Sequence, residues 1–200
     1  MPAVEVDGVS TPILHMSQLA ALLGIPAPPA LESTRLGYDL LLVVESWAEN
    51  LRALSWELLM APTSSRGRSL RNLTMNAVYP ISLLPETWAS GNLDWGVVDL
   101  DEQRAESYTT TLELADFARG VHATWAVFML ESEEALALDD PVVRTPRGQL
   151  RYSELLASHR WHIAFHHRQM VEYLAAAGID PAHAFRAEQL AGLTLPATVF

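Results

Sequence analysis

Apolar residues recur at intervals of three and four along four long stretches of the chain, which is the pattern of an α-helix with one buried face. The first stretch runs from about Glu32 to Met60. Its apolar face comprises Leu40, Leu41, Val44, Trp47, Leu51, Leu54 and Leu58. Pro62 and the polar loop at 63–69 should end this first helix.

A second helix is predicted from Ser69, because serine is a favourable N-cap residue. Pro80 should kink or interrupt this helix, since proline removes a backbone hydrogen bond and crowds the preceding turn. The stretch 85–97 is rich in turn-forming residues and predicts a loop with a short helical turn.

The third helix is predicted from Asp101 to about Leu130, and the acidic residues at its start suit the positive end of the helix dipole. The acidic stretch 131–140 is compatible with either a helix or a loop. From Val142 to Tyr152, polar and apolar residues alternate around a Pro-Arg-Gly turn, which predicts a small hairpin or an extended loop.

The fourth helix is predicted to begin at Ser153 and to continue to Ala177, with Gly178 as the residue that ends it. The pair Asp180-Pro181 can begin one more short helix before an irregular tail. Four long amphipathic segments without convincing strands predict an all-α protein, a four-helix bundle with short extra helices. We expect residues 1–31 to form an N-terminal arm with a short helix at Met16–Leu23, and residues 32–200 to form the bundle.

Composition excludes several kinds of chemistry. The net charge of −11 argues against a nucleic-acid partner, because such surfaces are normally basic. All thirteen basic residues are arginine, which excludes lysine Schiff bases and phosphate-binding lysines. There is no cysteine, so a reacting thiol would have to arrive on a small molecule. The longest apolar run, 125–130, is too short to cross a membrane, and the N-terminus does not resemble a signal peptide. We therefore expect a cytoplasmic protein with no membrane contact.

Four of the seven histidines lie within nine residues of the predicted fourth helix. His162 and His166 are four residues apart and share one helix face, with His159 a turn earlier. Two imidazoles in that relation can bind one divalent metal ion, although buried histidines often serve only as hydrogen-bonding groups. Ile163 stands where zinc peptidases of this spacing carry glutamate, so peptidase activity is not expected. His167 should lie nearer the surface or at a helix interface.

The segment from His162 to Leu174 resembles the C-terminal motif of the DinB/YfiT-like family, which consists of metal-binding four-helix bundles. In that motif His-x-x-x-His is followed closely by glutamine, here Gln169, although Arg168 stands where the family often has glycine. The segment 66–73 resembles the turn that leads into the family's second helix.

The resemblance implies a divalent metal ion, commonly zinc or nickel, held by His162, His166 and a third histidine from the second helix. The equivalent position falls near Asn76, or near Tyr79 after a shift of one turn, and neither residue is histidine. Asn76 is therefore our candidate third ligand. Tyr79 and His159 are candidate catalytic residues, and the pair Arg168 and Gln169 could anchor a ligand or co-substrate.

The family includes S-transferases and isomerases that use mycothiol or bacillithiol. The resemblance thus implies a metal-dependent S-transferase, in which a low-molecular-weight thiol attacks an electrophilic small molecule. One alternative is an enzyme that uses histidine acid–base chemistry without metal. Another is a non-catalytic bundle with a degenerate metal site that binds a small ligand or forms a homodimer.

Overall fold

The computed structural model describes residues 3–6, 8–12, 16–26, 32–63, 68–94, 101–146, 148–182 and 193. Most of these residues are helical. The helices are α1 (Met16–Leu23), α2 (Ser33–Arg52), α3 (Trp56–Met60), α4 (Leu70–Ser82), α5 (Leu84–Ser90), α6 (Asp101–Glu106), α7 (Thr111–Leu138) and α8 (Tyr152–Ala176). The strands are β1 (Ala3–Val6), β2 (Val9–Pro12), β3 (Val142–Thr145) and β4 (Gly148–Arg151), and they form two separate antiparallel hairpins.

Four longer helices pack together in a cycle. Helix α2 packs against both α7 and α8, and α4 packs against the same two helices. Helices α7 and α8 therefore lie on opposite sides of the assembly, each between α2 and α4. Among the described residues, no helix combines the length and the apolar content that a membrane crossing requires.

Side-chain contacts fix the direction in which these helices run. Asp39 of α2 meets Arg160 of α8, and seven residues later along both helices Ser46 meets His167. Helices α2 and α8 are therefore parallel. Helix α4 is antiparallel to α8, because its C-terminal neighbour Leu84 accepts a hydrogen bond from the hydroxyl of Tyr152 at the first residue of α8.

Gly37 lets α2 and α7 approach closely. A Cβ atom at this position would collide with the side chain of Met129, so only glycine fits without movement. The carbonyl oxygen of Gly37 accepts a hydrogen bond of 2.9 Å from the indole of Trp125. These contacts set the C-terminal half of α7 against the N-terminal end of α2.

The core is apolar but contains a polar link at its centre. Trp47 of α2 is fully buried, and its indole donates a hydrogen bond of 3.0 Å to the hydroxyl of Thr74 on α4. The Thr74 hydroxyl donates in turn to the carbonyl oxygen of Leu70, so this hydroxyl is both an acceptor and a donor. Burial of an indole without such a partner would be costly.

Two of the predicted helices are divided in the structure. The predicted helix from Glu32 to Met60 ends at Arg52, and α3 begins after Ser55, whose hydroxyl accepts a hydrogen bond from the backbone N–H of Leu58. The prediction of one continuous helix was wrong because the apolar spacing continues through the break, and an N-cap serine competes with helix propagation.

The predicted third helix is also two helices. Helix α6 ends at Glu106, and Thr110 begins α7 with a capping box in which Thr110 and Glu113 bond to each other's backbone N–H groups. Helix α7 then continues to Leu138, well beyond the expected end near Leu130. The acidic stretch after Leu130 is thus largely helical.

Pro80 does not interrupt α4. The helix continues to Ser82, and the short helical turn expected within the loop at 85–97 is the seven-residue helix α5, which begins at Leu84. Residues 95–97 of that expected loop lie outside the described residues. Pro80 is buried, so tertiary packing holds it within the helix.

The predicted hairpin at 142–152 is confirmed as β3 and β4, with Val143 opposite Leu150. The predicted short helix at Met16–Leu23 is confirmed as α1, whereas the β1–β2 hairpin before it was not predicted. Helix α8 begins one residue before Ser153 and ends at Ala176, with Gly178 in the left-handed conformation expected of a helix-ending glycine. A helix does not form at 180–182, and the rest of that predicted segment lies outside the described residues.

A buried ion pair joins α2 to α8. The guanidinium of Arg160 lies 2.7 Å from a carboxylate oxygen of Asp39, and the two side chains are only 5% and 7% exposed. Arg35 donates to the other carboxylate oxygen at 3.1 Å, but its own side chain is largely exposed. Loss of Arg160 would leave the buried carboxylate of Asp39 with only the largely exposed Arg35 to compensate its charge.

Replacement of Arg160 by leucine should lower the free energy of unfolding by about 3 kcal/mol, because Asp39 would keep its charge in a buried site. Urea denaturation followed by circular dichroism measures the loss. A matched control is Arg168→Leu, also on α8, whose partner Glu172 is 3.0 Å away and whose side chain is 33% exposed. This control should lose less than about 1 kcal/mol. Equal losses in the two variants would contradict a special role for the buried pair.

Candidate functional site

Helix α8 carries polar side chains on two of its sides. Arg160 and His167 bind residues of α2, as described above. His162 and His166 lie roughly 100–160° around the helix from that pair. Arg68, two residues before α4, acts electrostatically on His166, which places this second side towards the start of α4. The histidine pair therefore belongs to the α4 side of α8.

The two imidazoles of the pair converge. Nε2 of His166 lies 3.1 Å from Nε2 of His162, and the ring centroids are 4.5 Å apart with an interplanar angle of 83°. On its other face, Nδ1 of His166 lies 2.6 Å from the side-chain oxygen of Gln169. The i,i+4 and i,i+3 spacings along α8 bring these three groups together, as the sequence predicted for the two histidines.

The hydrogen bonds assign the protons of the pair. The amide oxygen of Gln169 can only accept, so Nδ1 of His166 carries a hydrogen and donates it. In neutral His166 the Nε2 atom then holds a lone pair, and Nε2–H of His162 donates to it. Gln169 thus fixes the tautomer of His166, in which Nε2 carries the lone pair that accepts a hydrogen bond or can bind a metal ion.

Burial keeps His166 neutral. It lowers the pKa of His166 to about 4, a shift that the hydrogen bond from Nδ1 to Gln169 opposes and the positive charge of Arg68 increases. Neutral imidazole is the form that binds metal ions. Two nitrogen ligands on one tetrahedral ion, with bonds of 2.0–2.1 Å, stand roughly 3.3 Å apart. The observed Nε2 separation is close to that value.

The part of the chain that the structure describes places no third histidine or carboxylate ligand beside the pair. Among the described residues, no three histidine or carboxylate side chains are grouped closely enough to hold an ion. Because α4 and α8 are antiparallel with the same rise per residue, Asn76 lies near the level of His159 and Asn72 lies near the level of His162. Oδ1 of Asn72 is buried and accepts no hydrogen bond within the described part of the chain.

Tyr79 packs against α6. Its ring is half-buried, and the guanidinium carbon of Arg104 lies 4.1 Å from its centroid, a cation–π contact. The phenol of Tyr108 lies close enough to Tyr79 to interact with it electrostatically, and burial is the larger cause that raises the pKa of Tyr108. The face of α4 that carries Tyr79 is thus partly covered by α6.

The other predicted site residues lie on α8. His159 is 4% exposed, and burial lowers its pKa to about 4. Gln169 contacts His166 directly, so the side chain that was expected to anchor a co-substrate orients a candidate ligand. Arg168 forms a partly exposed pair with Glu172 at 3.0 Å, on the flank of the helix.

Two features of this region were not predicted from the sequence. One is Arg68, which was noted only as part of a family-like turn. The other is the set of partners of His167, which was expected nearer the surface or at a helix interface and lies at the α2–α8 interface. There its Nε2 lies 2.7 Å from the Ser46 hydroxyl and 3.4 Å from the amide nitrogen of Asn50, in a buried cluster. The ring of Trp47 meets that of His167 edge-on at 6.0 Å. His167 is 1% exposed, so the cluster is closed to solvent and has a structural role.

No protein-family model matches the chain, and no curated protein or solved structure matches it either. Membership of the DinB/YfiT-like family therefore stays a prediction from the residues in the histidine segment and in the turn before α4.

Acid should destabilise the protein before its carboxylates titrate. An unfolded histidine takes up a proton near pH 6.5, whereas buried His159 does so only near pH 4. The unfolded state thus binds more protons between these values, and the stability that His159 contributes is complete above pH 6.5 and is lost as the pH falls towards 4. The slope for one such group approaches about 1.4 kcal/mol per pH unit.

The measurement is urea denaturation at half-unit steps between pH 4 and 7.5. His159→Leu should flatten the profile by up to one proton, whatever its effect on stability at pH 7.5. A profile with the same slope in the variant and the parent protein would show that His159 does not titrate differently in the two states.

Proposed function

We propose that the protein is a DinB-like four-helix bundle that binds a divalent zinc or nickel ion and transfers a low-molecular-weight thiol to an electrophilic small molecule. The packing of α2, α4, α7 and α8 supports the bundle, because each of these helices contacts two others in a closed cycle. The histidine segment lies on the last of the four, where the family resemblance requires it.

The convergence of His162 and His166 is the observation that carries the proposal. Their Nε2 atoms are 3.1 Å apart, and Gln169 already holds His166 in the tautomer that a metal ligand needs. His162 would have to move its proton from Nε2 to Nδ1 to become the second ligand. Asn76, with water, would complete the shell as a weak oxygen ligand, and Asn72 is a second candidate for that position.

When bound, the metal would supply the positive charge that favours a thiolate over a thiol, and the thiolate is the nucleophilic form. The side chains around it have separate tasks in this proposal. Arg68 would attract the anionic thiolate or an anionic substrate by its charge. Tyr79 would donate a hydrogen bond to the thiol or the substrate from the neighbouring helix. The absence of cysteine agrees with a thiol that arrives as co-substrate.

Purified protein loaded with zinc or nickel should retain about one ion per chain, and the double variant His162→Ala/His166→Ala should retain almost none. Elemental analysis after gel filtration measures the ratio. His122→Ala is a matched control, since His122 is a half-buried histidine on α7. Stoichiometric metal in the double variant would refute the ligand assignment.

Gln169→Leu isolates the orienting role of the glutamine. The variant keeps both histidines but frees Nδ1 of His166, so the affinity for zinc should fall by roughly 10- to 100-fold. Competition with a chromogenic chelator measures the affinity. An unchanged affinity would show that Gln169 does not orient the ligand.

Thiol transfer tests the function itself. With mycothiol and a model electrophile, the metal-loaded protein should consume thiol faster than buffer does, and His166→Ala should abolish the gain.

Arg68→Gln should raise KM for the thiol by about tenfold with a smaller change in kcat, because Arg68 acts through charge on binding. Arg144→Gln, at an exposed arginine on β3, is the control that should leave KM unchanged. Metal binding without thiol consumption would refute the transferase proposal and leave the metal site intact.

One observation favours a metal-free alternative. The bond between His162 and His166 satisfies both rings at their Nε2 atoms without an ion. A protein that purifies without metal and does not take up zinc would favour a bundle that uses histidine acid–base chemistry, or one that only binds a small ligand.

A further inference from the structure

The outward face of α7 carries apolar side chains along the whole length of the helix. Leu112, Val127, Leu130 and Leu138 are 57%, 53%, 76% and 78% exposed. Between them stand the exposed small residues Gly120 and Ala123. A large apolar side chain at such exposure is common singly, but a row of them on one helix face is a feature of contact surfaces.

The row has helical spacing. Its members are Leu112, Asp116, Arg119, Ala123, Val127, Leu130, Glu134 and Leu138, at steps of three or four residues. They therefore form one stripe along the helix, opposite the residues that face the core. The stripe is apolar in the middle, with Ala123, Val127 and Leu130, and charged on either side, with Asp116 and Arg119 before the middle and Glu134 after it.

We propose that this stripe, the α7 stripe, is the surface on which a second copy of the chain binds, with the two α7 helices antiparallel around a two-fold axis. Most homodimers have a two-fold axis. If a residue of one copy then contacts a second residue of the partner, the same contact occurs again with the two copies exchanged. Arg119 and Glu134 of the stripe meet as opposite charges under this operation, whereas a parallel pair would set each of them beside its own copy.

An axis near the level of Val127 gives the register. Arg119 lies eight residues before Val127 and Glu134 lies seven after it, so each arginine stands level with the glutamate of the partner copy. Leu130 lies level with Ala123 of the other copy, where a small side chain leaves room for it. The two Val127 side chains meet at the axis itself.

Local contacts leave the charged residues accessible. Arg119 pairs with Asp116 one turn earlier on its own helix, and these side chains are 42% and 61% exposed. A surface pair of this kind contributes little to stability, so it does not prevent Arg119 from also meeting Glu134 of the partner. In a parallel pair Arg119 would meet Arg119, and Glu134 would meet Glu134. The antiparallel arrangement is therefore the one that pairs Arg119 with Glu134.

Sedimentation velocity over a range of protein concentrations tests the proposal. The parent protein should be in equilibrium between monomer and dimer, and Leu130→Glu should raise the Kd at least tenfold without loss of helical circular dichroism. Leu42→Glu is the matched control, since Leu42 is 41% exposed on α2 and should leave the Kd unchanged. A parent protein that is monomeric at every concentration overturns the proposal, as does a dimer that Leu130→Glu does not weaken.

The register is tested separately. Arg119→Glu should raise the Kd, and the double variant Arg119→Glu/Glu134→Arg should restore it, because the exchanged charges meet again across the axis. The chain contains no cysteine, so Val127→Cys introduces one thiol per copy. Mild oxidation should link this variant into a covalent dimer, whereas Leu42→Cys should stay monomeric. Failure of the charge exchange, together with failure of the Val127→Cys link, overturns the antiparallel register.

Discussion

The polar interface between α2 and α8 is the constraint on which the candidate site depends. Arg160 and His167 are seven residues apart on α8 and bind Asp39 and Ser46, which are seven apart on α2. Two buried polar contacts at that spacing permit only one rotation of α8 about its axis, because any other would leave a buried charge and a buried imidazole without partners. The same rotation turns His162 and His166 towards α4. The contacts on the α2 side of α8 therefore decide in which direction the histidine pair points.

The charge around the histidine pair is in tension with its proposed ligand. Burial and Arg68 both keep His166 unprotonated, which favours metal binding, yet the positive charge of Arg68 also repels a cation. The conflict is resolved if an anion completes the site, since a thiolate would be attracted both by the metal ion and by Arg68. Under the proposed function, this balance of charge would suit a metal ion and a thiolate bound together better than a metal ion alone. The missing third histidine has the same consequence, because a neutral oxygen ligand leaves more positive charge for the thiolate to neutralise.

The sequence predicted the helical class, the long final helix and the convergence of His162 and His166, because each follows from spacing within one helix. It did not predict the breaks after Arg52 and before Thr110, where apolar spacing continues but local capping by Ser55 and by Thr110 with Glu113 ends a helix. At Pro80 the error was the opposite one, because a break was predicted and the helix continues. Packing of the buried proline overrides its local tendency to break the helix. Arg68 and the Ser46–His167 contact depend on residues 98 and 121 positions apart, and such pairs can be recognised only once the helices are placed.

The two proposed surfaces are compatible with each other because of the helix order. Helix α7 and helix α8 lie on opposite sides of the assembly, each between α2 and α4. A second copy bound to the outward face of α7 would thus lie on the far side from His162 and His166 and would leave the approach to them open. It would also cover no residue of the candidate site, so the metal and thiol chemistry should be independent of the monomer–dimer equilibrium. Coupling between them would have to pass through α2, where Gly37 holds α7 closely at one end and Ser46 binds α8 further along.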